Sequence, residues 1–248
     1  MVLHSPADQV RVEVRARNPE GRPIGASATL AVRMPAREGA YAMPVRGTWY
    51  MRSAPSLASH HRWRAATEFA VDFFKVDGDG RIRDGDPADA ESYYGSGEGV
   101  LAAADGTVVA VVDSPVQNRG VRIRRPDESA EAFGRRAQRH LFGELEKNYR
   151  TALAGNYVTI RHADGMYSTY GHLKTGSAQV EVGVSVVQGQ PIAAVGDTGD
   201  SNAVHLHFQL NEGSDPFLSR SVPVTFGDMQ PPFDESGRFV HAAPRPAE

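Results

Sequence analysis

Apolar and charged residues alternate without a break from Val10 to Arg17, V-R-V-E-V-R-A-R. A period of two puts the apolar side chains on one face of a strand and predicts a half-buried β element. Asn18-Pro19-Glu20-Gly21 carries turn residues, and a weaker alternation resumes from Ala28 to Met34. The run E-F-A-V-D-F-F from Glu68 to Phe74 reads as a short strand, followed by a Gly- and Asp-rich loop from Asp77 to Tyr94. Val100 to Val112 holds two strand-like runs around Asp105-Gly106, a hairpin dipeptide. Asn156 to His172 predicts a second hairpin turning at Asp164-Gly165. Val180 to Val195 predicts two short strands punctuated by Gly183 and Gly189, and His205 to Leu210 a last, strong one. The stretch from Asp127 to Arg150 is rich in Glu, Arg, Ala and Leu, and reads as an inserted helix.

Many short strands at regular spacing predict an all-β protein, an antiparallel sandwich or barrel-like core with one helical insertion and a small N-terminal β unit. The expected organisation is an N-terminal β segment over residues 1–55, a main domain over 56–230 with the insertion at about 127–150, and a Pro- and Ala-rich disordered tail over 231–248.

Composition narrows the chemistry. The 248 residues are 40% hydrophobic and 23% charged, enough for a real core. The net charge of −3 gives no reason to expect nucleic acid as a partner. With no cysteine, disulfides and thiolate metal sites are excluded, so any metal sits on His, Asp or Glu. No stretch reaches the apolar length of a membrane span, and Met1 to Val10 lack a charged segment followed by an apolar run. Nothing in the pattern sets an oligomeric state.

Three places carry candidate chemistry. In His205-Leu206-His207-Phe208-Gln209-Leu210, alternation puts two imidazoles and Gln209 on one face and three apolar residues on the other. Imidazole is both a common zinc ligand and the usual proton shuttle near neutral pH. In Tyr167 to Leu173, Y-S-T-Y-G-H-L, the same period assigns Tyr170 and His172 to one face. Asp72 is a carboxylate among apolar residues, costly to bury unless it is paired or bound to metal. The DGDG run around Asp77 and Asp79 lacks the spacing of a calcium loop and reads as a solvated acidic turn. His162 reads as structural or as a groove edge, His140 as solvated on the helix, and the arginines from Arg122 to Arg125 as a solvated strand edge.

Taken together, Gly155 to Leu173 (G-N-Y-V-T-I-R-H-A-D-G-M-Y-S-T-Y-G-H-L), Gly189 to Leu210 and Val100 to Val109 resemble the lysostaphin-type zinc endopeptidases, which hydrolyse peptidoglycan. The resemblance covers roughly Ser59 to Asp228. It implies zinc as cofactor, peptidoglycan or its peptides as partner, an extracytoplasmic location, Asp72 and His207 as zinc ligands, and His172 and His205 as the catalytic pair. The family's first histidine usually lies four residues before the aspartate, where this chain has Glu68. Residues four apart on a straight strand are about 13 Å apart, whereas zinc bonds are about 2 Å long. Glu68 and Asp72 can therefore share a metal only across a sharp bend. A histidine on the preceding loop has no such restriction, so His61 is favoured, then His60, then Glu68. Two readings compete with an active enzyme. One is an inactive family member that binds peptidoglycan or regulates; the other is a biotin- or lipoyl-type carrier, which would need a modified lysine on a hairpin tip.

Overall fold

The computed structural model describes residues 9–31, 41–52, 61, 64–114, 123–230 and 238–242. The chain divides into two compact units, Met1–Arg37 and Glu38–Glu248.

In the first unit, β1 (Gln9–Arg17) and β2 (Pro23–Ala31) form an antiparallel hairpin. The Asn18 side chain closes the turn by accepting the Arg22 N–H at 2.8 Å. Val12, Val14 and Ile24 are 43%, 60% and 53% exposed. Alternation thus identified the strand but not a buried face, because a two-stranded hairpin has no second layer of its own to pack on that face.

The second unit is a mostly antiparallel β core with one substantial helix inserted, the class expected from the sequence. Its strands are β3 (Thr48–Arg52), β4 (Val71–Lys75), β5 (Gly99–Leu101), β6 (Gly106–Val112), β7 (Asn156–Arg161), β8 (Tyr167–Leu173), β9 (Ser185–Val186), β10 (Pro191–Ala194), β11 (Leu206–Asn211), β12 (Ser221–Val222), β13 (Met229–Gln230) and β14 (Arg238–Ala242). The large sheet runs β13-β14-β3-β4-β11-β8-β7-β6-β9, with β12 also on β11, while β5 and β10 form a separate ribbon. Leu206, Phe208 and Leu210 on β11, Phe73 on β4 and Tyr170 on β8 pack with Val100 of β5 and Ile192 of β10 in one core. Each large side chain fully buried there contributes about 1.5–3 kcal/mol.

Three expectations are corrected. Glu68 to Ala70 is not strand: Arg64, Thr67 and Ala70 donate N–H bonds to the carbonyls of His61, Arg64 and Thr67, so three successive turns lead into β4. Asp105-Gly106 is not a hairpin, since β5 pairs with β10 whereas β6 pairs with β7 and β9. A Cβ at Gly106 would lie 2.4 Å from the Arg161 carbonyl oxygen, so its glycine serves close strand approach. Arg238–Ala242, inside the tail expected to lack structure, pairs with β3, whose outer edge offers unpaired backbone groups.

The inserted helix α1 (Ala130–Ala154) is N-capped by Ser129 and kinked at Asn148. Gly155 ends it with φ 64°, and the chain enters β7 directly. The acidic loop needs no ion: Asp77 accepts from the backbone of Asp79 and Arg81, and the Arg81 guanidinium bridges Asp77 and Asp79.

Candidate metal centre

The site forms on one face of the large sheet, where β4, β11 and β8 lie side by side. Asp72 is directly opposite His207, and His207 directly opposite Gly171. Directly opposed residues share a face. Val71 and Phe73 point into the core, which turns Asp72 and Phe74 to the other side.

His61 reaches this face through the three turns before β4, which bring it beside Asp72 although eleven residues separate them. Backbone groups hold that segment down. The Ala65 carbonyl accepts from Ser221 N–H, and the Ala66 carbonyl from the side chains of Gln209 and Asn211. The result is a buried cluster in which His61, Asp72 and His207 offer donor atoms all within 4.8 Å of one another. His61 Nε2 is 3.2 Å from Asp72 Oδ2, and His207 Nδ1 is 3.0 Å from Asp72 Oδ1. Glu68 is not in the cluster, and His60 lies outside the described residues.

His172 arrives by a different device. Alternation assigns it the face of Tyr170, but the two point to opposite sides. Tyr170 is fully buried in the core, accepting the Ala103 N–H at 2.7 Å. His172 sits at the site, its ring 4.6 Å from that of His205 and 5.8 Å from that of His207. The register between β7 and β8 slips by one residue here, and His172 has φ 59°. A bulge with one residue in the left-handed region re-aims the imidazole. Its Nδ1–H donates to the Thr198 carbonyl at 2.7 Å, so the neutral ring presents the Nε2 lone pair to the cleft. Thr198 is clamped in turn: its hydroxyl accepts the Asn156 N–H and donates to the Leu173 carbonyl. A Cβ at Gly155 would fall 2.3 Å from Thr198, so this close approach needs glycine.

His205 is fixed in the same way. Its Nδ1–H donates to the Ala203 carbonyl at 2.8 Å, and its ring stacks on Phe74 at 4.8 Å. Gln209 settles His207. The amide nitrogen of Gln209 faces three acceptors, the Ala66 and Pro216 carbonyls and Asn211 Oδ1. Its oxygen must therefore be the atom 2.8 Å from His207 Nε2. That nitrogen carries a hydrogen, which leaves Nδ1 as the His207 atom that faces Asp72.

The electrostatics agree with this arrangement. Burial would raise the pKa of Asp72, but bonds from His207 and His61 and the nearby His205 outweigh it and hold the carboxyl well below its ordinary range. Burial, then the neighbouring His205 and His207, keep His172 well below the ordinary imidazole value. Two imidazole nitrogens and one carboxylate converging within 4.8 Å of one another are a donor set that suits zinc.

These residues line a cleft of about 410 Å³ together with Arg52, Arg64, Asp200 and Phe217. Of the other histidines, His162 is buried in a network with the Asp105 carbonyl and Ser168, and His140 lies on α1. The lysines have structural partners: Lys75 approaches Glu98 and the Trp49 ring, Lys147 pairs with Glu144 on α1, and Lys174 with Glu91. Among the described residues no helix is long and apolar enough to cross a membrane. Sequence reasoning missed Thr198, Ala203 and Arg52. The first two act through backbone carbonyls, which carry no residue-type signal.

Residues 142–218 match the sequence model of Peptidase family M23. Among curated proteins, the chain is 39% identical over 68 residues to the peptidoglycan DD-endopeptidase ShyC of Vibrio cholerae, covering 27% of this chain and 15% of that protein. It is 40% identical over 70 residues to the DD-carboxypeptidase/endopeptidase Mpg of Neisseria meningitidis, covering 28% and 16% respectively. The chain thus spans less than a fifth of the length of these relatives. Among solved structures, the catalytic domain of lysostaphin from Staphylococcus simulans aligns with a TM-score of 0.38 at 21% identity, over 71% of this chain and 88% of that one.

Proposed function

We propose, from the match of residues 142–218 to Peptidase family M23, that the chain is a zinc-dependent endopeptidase hydrolysing amide bonds in the peptides of bacterial peptidoglycan, outside the cytoplasm. The observation that carries this reading is the buried His61-Asp72-His207 cluster with two further histidines, His172 and His205, over the same cleft.

In this reading His61, Asp72 and His207 hold the metal. When bound, zinc supplies Lewis-acid activation of the scissile carbonyl and of a water molecule. The protein's own groups do the rest. His172 and His205 each hold Nδ1–H on a backbone carbonyl, which fixes the ring and leaves Nε2 to take a proton from the attacking water or, once protonated, to give one to the leaving amine. A ring that has taken the proton then carries Nε2–H, which can donate a hydrogen bond to the developing negative charge. Stacking of Phe74 on His205 excludes water from one side of that ring.

The test is elemental analysis of protein purified without added metal or chelator, followed by release of peptides from purified peptidoglycan. About one zinc per chain, with hydrolysis lost on chelation, is the expected result. A chain that takes up no zinc, or holds zinc and releases nothing, fits an inactive peptidoglycan-binding protein instead.

A further inference from the structure

We propose that Arg52 and Arg64 form a carboxylate-binding subsite beside the metal centre, so that the favoured substrate is a peptide with a free carboxylate next to the scissile amide rather than an uncharged bridge. The inference rests on the peptidase reading and adds a substrate class to it.

The argument begins with register. Arg52 on β3 lies directly opposite Asp72 on β4, just as Asp72 lies opposite His207. Arg52 therefore shares the face of the metal cluster, one strand outward, and it lines the cleft. An arginine opposite an aspartate ordinarily pairs with it. Here both Asp72 oxygens are committed to histidines, Oδ2 to His61 and Oδ1 to His207. Arg52 is left with no side-chain hydrogen bond or ion pair among the described residues. Arg64 is the second such group. Its N–H bonds the His61 carbonyl at 3.1 Å, which ties it to the turn that delivers His61, and its exposed side chain also lines the cleft with no side-chain partner among the described residues.

Other arginines on this chain are engaged by carboxylates: Arg81 with Asp77, Arg136 with Glu128, Arg150 with Asp215 and Arg220 with Glu212. What sets Arg52 and Arg64 apart is their place in the lining of the metal cleft. The chain as a whole is acidic, with a net charge of −3. The cleft reverses that balance. Among the described residues its two arginines face one further carboxylate, Asp200, once Asp72 is committed to the cluster. A guanidinium presents a planar fork of donors that matches a carboxylate, and the two forks stand on separate segments of the cleft wall. A peptide carboxylate satisfies them; a run of uncharged residues leaves both without a partner.

The experiment uses two synthetic cross-linked stem peptides, identical except that the carboxylate flanking the scissile amide is free in one and amidated in the other. Affinity and hydrolysis by the zinc-loaded full chain are measured for both. The expected result is roughly 10-fold tighter binding of the free-carboxylate peptide, as one charge-assisted bond provides, expressed in KM more than in kcat. Arg52→Gln and Arg64→Gln should each bring the ratio between the peptides toward one, and the preference should weaken with salt. Equal affinity for the two peptides, or a ratio unmoved in both variants, overturns the subsite. Cleavage of neither peptide with the affinity preference intact supports the subsite and counts against the peptidase reading, so the two failures are distinguishable.

Discussion

Tyr170 and His172 are two residues apart on one strand and face opposite sides of the sheet: Tyr170 packs against Phe208 in the core, and His172 stands over the cleft beside His205. The bulge at φ 59° makes that possible, at a conformational cost of about 1–2 kcal/mol for a residue with a Cβ. The cost can be measured. His172→Gly should be more stable to urea than His172→Ala by about 1 kcal/mol, because glycine adopts this φ freely, and both should lose peptidoglycan hydrolysis. Equal stability of the two variants would mean that the backbone relaxes and stores no strain there.

The identity of the first ligand separates two substitutions. His61→Ala should abolish stoichiometric zinc, since it removes one of three clustered donors. Glu68→Ala should keep it. Elemental analysis of both variants decides, and the opposite pattern would remove His61 from the site.

Gln209 orients a ligand it does not replace. Gln209→Met keeps the size of the side chain but leaves His207 Nε2–H and the Pro216 carbonyl without their bonds. Zinc affinity should fall by about 10–100-fold. In the metal-free variant, the imidazole nitrogen resonances of His207 should move from a single tautomer toward a mixture. A change in melting temperature with neither effect would reduce Gln209 to a packing role.

His162 supplies a pH dependence remote from the metal. Burial holds its imidazole below the ordinary value, partly offset by the bond to the Asp105 carbonyl. The unfolded chain therefore binds a proton at a pH where folded His162 does not, and stability falls as the pH drops below about 6.5. His172 acts in the same direction; His207, whose pKa is raised against burial by the bond to Asp72, acts in the opposite one. Urea unfolding at about pH 7.5 and about pH 5.5 isolates His162. His162→Gln can keep both hydrogen bonds without titrating, so its stability should fall less on acidification. An unchanged slope would show that His162 binds its proton equally in the folded and unfolded chain.

Several features were legible in the residues alone. Alternation along β11 put His205, His207 and Gln209 on one face, and Leu206, Phe208 and Leu210 in the core. A strand with three large apolar residues in step can bury only that side. The inserted helix was likewise readable, because its Glu-, Arg-, Ala- and Leu-rich composition is a local signal. The tertiary structure decided what local pattern cannot encode. The turns before β4 look like a strand until the Ala65 and Ala66 carbonyls find partners on β11 and β12. The face of His172 is inverted by a bulge defined by its neighbour β7. The place of Arg52 beside the cluster follows from pairing with β4, twenty residues away in sequence. Periodicity reports which side of its own element a residue occupies; which elements come to share that side is fixed only when the sheet assembles.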